Sequence, residues 1–363
     1  MWKFFAIIKE FDIFGKSPNL YYEKKEQKTS WIGAYFSILY FSIIIFYFID
    51  LILRMYNNTD VTFYDTFDYI ENPPSIKLSQ DNFYGGFALE DPTTYDPFID
   101  ETIYYPRAYF KKGRRNGRSW SWEVKEIELE RCKIEKFGKS FQVKFNKNVL
   151  DNLYCFKEIN ETLFGHFYYD EYSFFFIQLF PCINTTENNN HCKPLEVIDY
   201  YLSGTFFSME FEDIELTPLN YSYPVRPRNQ NIYFKVGKKL FQEVHIYYQI
   251  VDVETDEDII GIEGEPKYRK NRYLKYHSIY QMNNFRENDI YKAGESFCNI
   301  TIKLHEQIRI QRRTYKKLIE ILANFGGFMY TISTIINSIL FFHINTLYEI
   351  DIFNKLFKFY LRE

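Results

Sequence analysis

Residues 321–348 read ILANFGGFMYTISTIINSILFFHINTLY, and no Asp, Glu, Lys or Arg interrupts them. About 20 apolar residues suffice to cross the hydrocarbon core of a bilayer. A helix at the edge of a soluble core needs a broad polar face, and this run has none. A second uncharged run, TSWIGAYFSILYFSIIIFYFI at 29–49, stands near the other end. All cysteines and all N-glycosylation sequons fall between the two runs. The expected fold is therefore two transmembrane α-helices flanking a mainly β, antiparallel, sandwich-like luminal or extracellular domain. The expected boundaries are a cytoplasmic segment 1–28, a first span 29–52, the β-rich domain 53–317, a second span 318–345 and a cytoplasmic tail 346–363.

The intervening segment supports an oxidising, non-cytosolic placement. Disulfides persist in such compartments, and Cys132, Cys155, Cys182, Cys192 and Cys298 all lie there. Cys182 and Cys192 flank a short Asn-rich loop and form the first expected bond. Cys132 with Cys155 is the next, which leaves Cys298 free or paired across chains. The sequons begin at Asn57, Asn160, Asn184, Asn220 and Asn299, so a glycoprotein is expected. Lys16, Lys24, Lys25 and Lys28 precede the first run, in accord with the positive-inside rule. Arg309, Arg312, Arg313, Lys316 and Lys317 precede the second run and oppose it.

Strand patterns fill the middle. Phe141, Val143 and Phe145 alternate, as do Val244, Ile246, Tyr248 and Ile250, and Ile300, Ile302 and Leu304. SFFFIQLF at 173–180 is an apolar run of strand length. Residues 57–106 read as loops and short strands. MWKFFAIIKEF at 1–11 places its aromatic and aliphatic side chains on one helical face, suited to a membrane interface or a partner chain.

The chain has 38 Phe and 33 Tyr, a bias that A/T-rich codons explain as well as a binding surface does. Its net charge of -4 gives no reason to expect nucleic acid. The acidic run 252–263 offers Asp252, Glu254, Asp256 and Glu263 at calcium-loop positions. Glu257, however, stands where that loop needs glycine, so a solvated hairpin is expected. KKGRRNGR at 111–118 reads as a basic hairpin tip. His166, His191, His245, His277, His305 and His343 show no metal-ligand spacing. No nucleophile elbow or phosphate loop occurs. The expectation is a non-enzymatic protein with no cofactor and no metal.

In the second run Gly326, Gly327, Tyr330, Ser333, Thr334, Asn337 and Ser338 recur at helical spacing as one narrow stripe. Gly33 and Ser37 form a small pair on the first. Small residues let membrane helices approach closely, and polar intramembrane stripes also line pathways. The stripe therefore reads as helix packing or as a pore lining.

Phe11-Asp12-Ile13-Phe14, Lys28-Thr29, Gly33, Ser37 and the segment LANFGGFMYTISTIINSI at 322–339 resemble the ER–Golgi vesicle family of two-pass cargo receptors. That resemblance covers the two membrane-flanking ends and implies vesicle transport in the early secretory pathway with protein cargo. The vicinal cysteine pair of that family is absent here. The chain also resembles uncharacterised two-pass membrane proteins of ciliate-like protists. Three functions follow as expectations. One is a receptor or structural subunit whose β-rich domain binds protein partners. Another is a subunit of a trimeric ligand-gated cation channel, its second helix lining the pore. The third is a component of an organellar membrane complex. The expected location is an ER, Golgi or cell-surface membrane, with lipid and protein partners and a homo- or hetero-oligomeric state.

Overall fold

The computed structural model describes residues 30–69, 74–79, 82–137, 147–184, 192–237, 240–261, 268–285 and 293–357. The segment 1–28, the alternation at 141–145, the loop at 185–190 and His191 lie outside them. The chain divides into two compact units. One comprises 63–256 and 268–313, the other 1–62, 257–267 and 314–363.

The first unit is built on two sheets. The larger runs in the order β1 (Val61–Asp68), β16 (Ile308–Tyr315), β13 (Leu240–Asp256), β15 (Cys298–Leu304), β10 (Glu171–Pro181), β5 (Tyr104–Asn116), β6 (Ser119–Ile127), with β14 (Tyr268–Phe285) also paired to β13. The smaller runs β12 (Val225–Lys235), β11 (Phe206–Leu216), β3 (Gly85–Glu90), β8 (Tyr154–Phe156), β7 (Leu129–Arg131), with β4 (Pro97–Phe98) on β3. A two-stranded ribbon joins β2 (Ser75–Leu78) to β9 (Glu161–Phe164). Short helices α2 (Lys147–Leu150) and α3 (Leu195–Leu202) fall between strands.

Alternation explains the core. Phe175, Ile177 and Leu179 of β10 point inward with Val244, Ile246 and Tyr248 of β13 and Ile300 and Ile302 of β15. Phe87, Phe207, Met209 and Phe211 of the smaller sheet join the same buried cluster. Aromatic rings carry the join: Phe175 lies 5.4 Å from Phe156, and Phe211 lies 5.8 Å from Tyr248, between ring centres. Burying each such ring contributes about 2–3 kcal/mol. A satellite core gathers Tyr84, Phe137, Leu150 and Leu153 around the Cys132–Cys155 bond.

The sheets are not purely antiparallel, which corrects the sequence expectation. β13 pairs in parallel with β15 along 242–248 and with β16 along 251–255. The basic stretch IRIQRRTY at Ile308–Tyr315, ahead of the second helix, is the strand β16. Its charged residues obscured the strand, because each finds an acceptor. Arg309 binds Asp65, Arg312 binds Glu254, and buried Arg313 donates to the Asn220 carbonyl at 2.6 Å and to Thr255 at 2.7 Å.

The second unit holds α1 (Trp31–Tyr56) and α4 (Leu318–Phe357). Both are long and apolar enough to cross a membrane, by length and composition. Ser30 caps α1, its hydroxyl accepting from the Gly33 amide at 2.9 Å. The helices run antiparallel. Tyr47 meets Phe328 at 4.1 Å and Phe48 meets Phe325 at 4.9 Å, while Tyr40 and Ile44 share a cluster with Ile336 and Leu340. Lys316 pairs with Asp60 and Lys317 with Asp258. Arg309, Arg312, Lys316 and Lys317 of the basic run before the second helix are thus each paired with a carboxylate.

Candidate functional site

The strongest candidate is the face of the large sheet turned away from the core. Its geometry begins with a glycine. Gly113 of β5 sits opposite Trp122 of β6, and a Cβ there would lie 2.7 Å from the indole. The missing side chain lets Trp122 lie across the strand. Trp120 stacks on Trp122 at 5.7 Å, Phe167 stacks on Trp120 at 5.7 Å, and Tyr172 stacks on Phe174 at 5.4 Å. Trp122 meets Phe174 edge-on. The result is a ladder of rings across β6, β5 and β10. Trp122 is 44% exposed and Phe167 50%. Cations lie over it, with Lys111 3.9 Å from the Phe176 ring centre and Arg115 5.5 Å from Trp120. Burial pushes the Lys111 ammonium below its usual range.

The ladder is flanked by a cluster that no sequence motif announces. Parallel pairing sets His245 beside Thr301 and Tyr247 beside Lys303. On the other edge β14 carries an extra residue. Tyr247 faces Ser278 and Tyr248 faces Tyr276, so His277 is the bulged position. Its ring lies 4.2 Å from that of His305, which follows β15. Tyr247 touches His305 edge-on at 6.1 Å, and Lys303 lies 4.9 Å from the Tyr247 ring centre. His166, in the turn after β9, interacts electrostatically with Lys303 and Glu306. Four of the six histidines therefore converge, where the sequence shows them scattered. Burial pushes all four imidazoles below their usual range. The His166 and His245 Nδ1 atoms have no hydrogen-bond partner among the described residues. Among those residues no group of three His, Cys, Asp or Glu side chains has metal-binding geometry.

The remaining expected residues lie elsewhere. Cys182–Cys192 and Cys132–Cys155 are both bonded, with Cα separations of 5.5 and 5.0 Å. Cys298 is a free thiol at a fully buried core position. Asn57, Asn160, Asn184 and Asn220 are exposed. Asn299 lies inside β15, and its side-chain oxygen accepts from Ser296 at 2.8 Å and Gln178 at 3.2 Å. Along α4, Gly326, Gly327, Tyr330, Thr334, Asn337 and Ser338 are exposed and Ser333 is half-buried. A Cβ at Gly326 or Gly327 would meet nothing within 4 Å. Gly33 and Ser37 of α1 are buried. The two helices meet instead through Phe325, Phe328, Ile332, Ile336 and Leu340.

The described part of the run, 252–261, is no calcium loop, and Glu263 lies outside the described residues. Asp252 and Glu254 lie in β13 and are bound by Arg272 and Arg312. Lys111–Arg118 is the β5–β6 hairpin with its turn at Gly117.

Residues 86–305 match the family model described as the uncharacterised 80 kDa protein N-terminal domain. The chain belongs to this family. The span matched by the 80 kDa N-terminal-domain family runs from β3 to the end of β15 and so covers the positions of this chain's ring ladder and four clustered histidines. No curated protein matches the chain. Among solved structures it is similar to a proton-activated chloride channel at 8% identity, covering 85% of this chain and 95% of that one with a TM-score of 0.29. It is also similar to Erv41p at 9% identity, covering 68% of this chain and 99% of that one with a TM-score of 0.24. Superpositions this loose leave the fold description to the sheets themselves.

Proposed function

We propose that this chain is a two-pass membrane protein, not an enzyme, whose β-rich domain works by binding protein. The observation that carries this reading is the outer face of the large sheet. Its indole, phenyl and phenol rings are stacked into one ladder, with Trp122 and Phe167 exposed, beside fixed cations. Contiguous exposed apolar surface marks interaction sites, and Trp, Tyr and Arg dominate binding energy where they anchor partners. The uncharged central runs of the two helices and the oxidised cysteines support a secretory-pathway or cell-surface membrane. The test is site-specific photocrosslinking in native membranes from Val124, exposed beside the ladder, with Tyr233, exposed on β12 of the smaller sheet, as control. A partner crosslinked from Val124, lost with Trp122→Ala and absent from Tyr233, is the expected result. Equal capture from both positions would refute the reading.

A second reading, a channel subunit, rests on the exposed stripe of α4. Its hydroxyls are satisfied within the helix, Thr334 donating to the Tyr330 carbonyl and Ser338 to the Thr334 carbonyl, both at 2.8 Å. A stripe left open by α1 can meet α4 of other copies around an axis. Cysteines at Ser333 and Asn337 that react with water-soluble thiol reagents and block a current would support it. A current insensitive to such labelling would refute it.

A further inference from the structure

The turn at 165–170 joins the two halves of the outer face. Gly165 opens it at φ +68°, and a Cβ there would lie 2.1 Å from the Glu171 carbonyl oxygen, so only glycine fits. His166 and Phe167 are adjacent but serve different neighbours. Phe167 stacks on Trp120 and meets Tyr172 edge-on at 6.0 Å. His166 faces Lys303, Glu306 and His305. One backbone tie from this turn reaches the β5–β6 hairpin, the Arg115 amide donating to the Asp170 carbonyl at 2.6 Å. The turn is a flap, with a histidine on one side and a ring covering Trp120 on the other.

We propose that protonation of the histidine cluster lifts this flap, so that Trp120, at the flap end of the ladder, is covered by Phe167 at neutral pH and uncovered in acid. Every element around the cluster contributes charge or titratable groups. The turn brings His166, Tyr168 and Tyr169. β13 brings Glu243, His245 and Tyr247. β14 brings Lys275, His277 and Tyr280. The end of β15 and the residues after it bring Lys303, His305 and Glu306. Lys275 is engaged with Asp213 and the Ile214 carbonyl. That leaves one ammonium, Lys303, against two carboxylates, Glu243 and Glu306, when the imidazoles are neutral. Protonating all four sets five cations against the same two carboxylates. Among the described residues Glu243 is in direct reach of a ring, with its carboxylate 3.6 Å from His245 Nε2. His277 and His305, in ring contact, would become adjacent cations. The flap lies outside the sheet ladders, held by the Gly165 amide on the Pro74 carbonyl at 2.9 Å and by the Arg115 amide on the Asp170 carbonyl, so it gives way before the strands β13 and β14 that carry His245 and His277. The weakened proton affinity of the closed state fixes the sign. The open form binds more protons, so acid favours it. Each imidazole whose closed-state affinity is one pH unit weaker shifts the equilibrium about tenfold once the pH falls below both values. This holds whether or not the outer face engages a partner.

The test is hydrogen exchange by mass spectrometry on the full chain in detergent micelles, at pH 7.5 and 5.5, with rates corrected for intrinsic pH dependence. Peptides over 164–172 should lose protection at least about tenfold at the lower pH. The His166→Gln/His305→Gln variant should lose that dependence, while β11 stays protected in both proteins. His277→Gln, at an exposed rim position, should reduce the dependence and decides the matter should the double variant lose protection in β11. Equal flap protection at both pH values in the native chain overturns the proposal. So does an acid-induced opening that survives all the His→Gln changes.

Discussion

Removing Cys132–Cys155 should cost more than removing Cys182–Cys192, and the structure sets the margin. The first bond joins residues 23 apart, the second residues 10 apart. Chain-entropy closure of loops of these sizes gives about 3.5 and about 2.8 kcal/mol at 25 °C. Entropy alone therefore separates them by less than 1 kcal/mol. Surroundings widen the gap. Cys132 and Cys155 are buried in the satellite core against Leu153 and Gly86, and their sulfurs fill volume that alanine leaves empty. A small buried cavity adds about 1 kcal/mol. The Cys182–Cys192 loop keeps a second clasp when its bond is cut. The Asn184 side chain accepts from the Cys192 amide at 3.1 Å and donates to its carbonyl at 3.3 Å. The expected losses are about 4–5 kcal/mol for Cys132→Ala/Cys155→Ala and about 2–3 kcal/mol for Cys182→Ala/Cys192→Ala. Urea unfolding of the full chain in micelles, followed by tryptophan fluorescence, measures both. Equal losses, or a larger loss at Cys182–Cys192, would refute the argument from loop size and burial.

Gly165→Ala should destabilise by about 2 kcal/mol or more through its clash and positive φ, whereas Gly117→Ala, also at positive φ but in open space, should cost about 1 kcal/mol. Thermal unfolding compares the two, and equal costs would remove the clash argument. Phe328→Ala should weaken the α1–α4 pair inside one chain, because its ring lies against Tyr47. Gly327→Leu should leave that pair intact and shrink detergent-stable complexes. Size-exclusion profiles that respond identically to both changes would contradict the assignment of faces. Endoglycosidase should shift the mobility of chains made in a secretory system through Asn160, Asn184 and Asn220, and Asn299→Gln should leave that shift unchanged. A smaller shift in Asn299→Gln would show that this strand position is modified.

The strands with alternating cores were legible in sequence. Val244 to Ile250 and Ile300 to Leu304 each carry a clean period of two, and both are strands. β5 and β16 were not, for a common physical reason. Their outward residues are Lys and Arg, which resemble a solvated turn until the acceptors that bind them are known. The parallel pairing of β13 was also hidden, since alternation fixes a face and not a strand direction. The helix faces misled in one respect. Small residues marked a contact surface, but the bulky face of Phe325, Phe328 and Ile332 took the intrachain contact. The histidine cluster had no linear signal at all. Its members come from a turn, two long strands and the end of a third, and only the register and the bulge at His277 bring them together. A glycine before the His166-Phe167 pair was the one available hint.

The pairing of β1 with β16 has a consequence for biosynthesis. Thr66 bonds to the Ile310 carbonyl and Asp65 binds Arg309, partners 244 residues apart in the chain. β13 likewise waits for two parallel neighbours that are made after it. A nascent chain therefore emerges with the 17-residue β13 unfinished on one edge, and that edge stays sticky until β16, at Ile308–Tyr315, has been translated. Such long-range closure is intrinsically slow. Disulfide formation at Cys132–Cys155 and Cys182–Cys192 can precede it, since all four cysteines are already available. The order of events would be oxidation first and sheet closure last, leaving a window in which a chaperone rather than a partner holds the exposed edge.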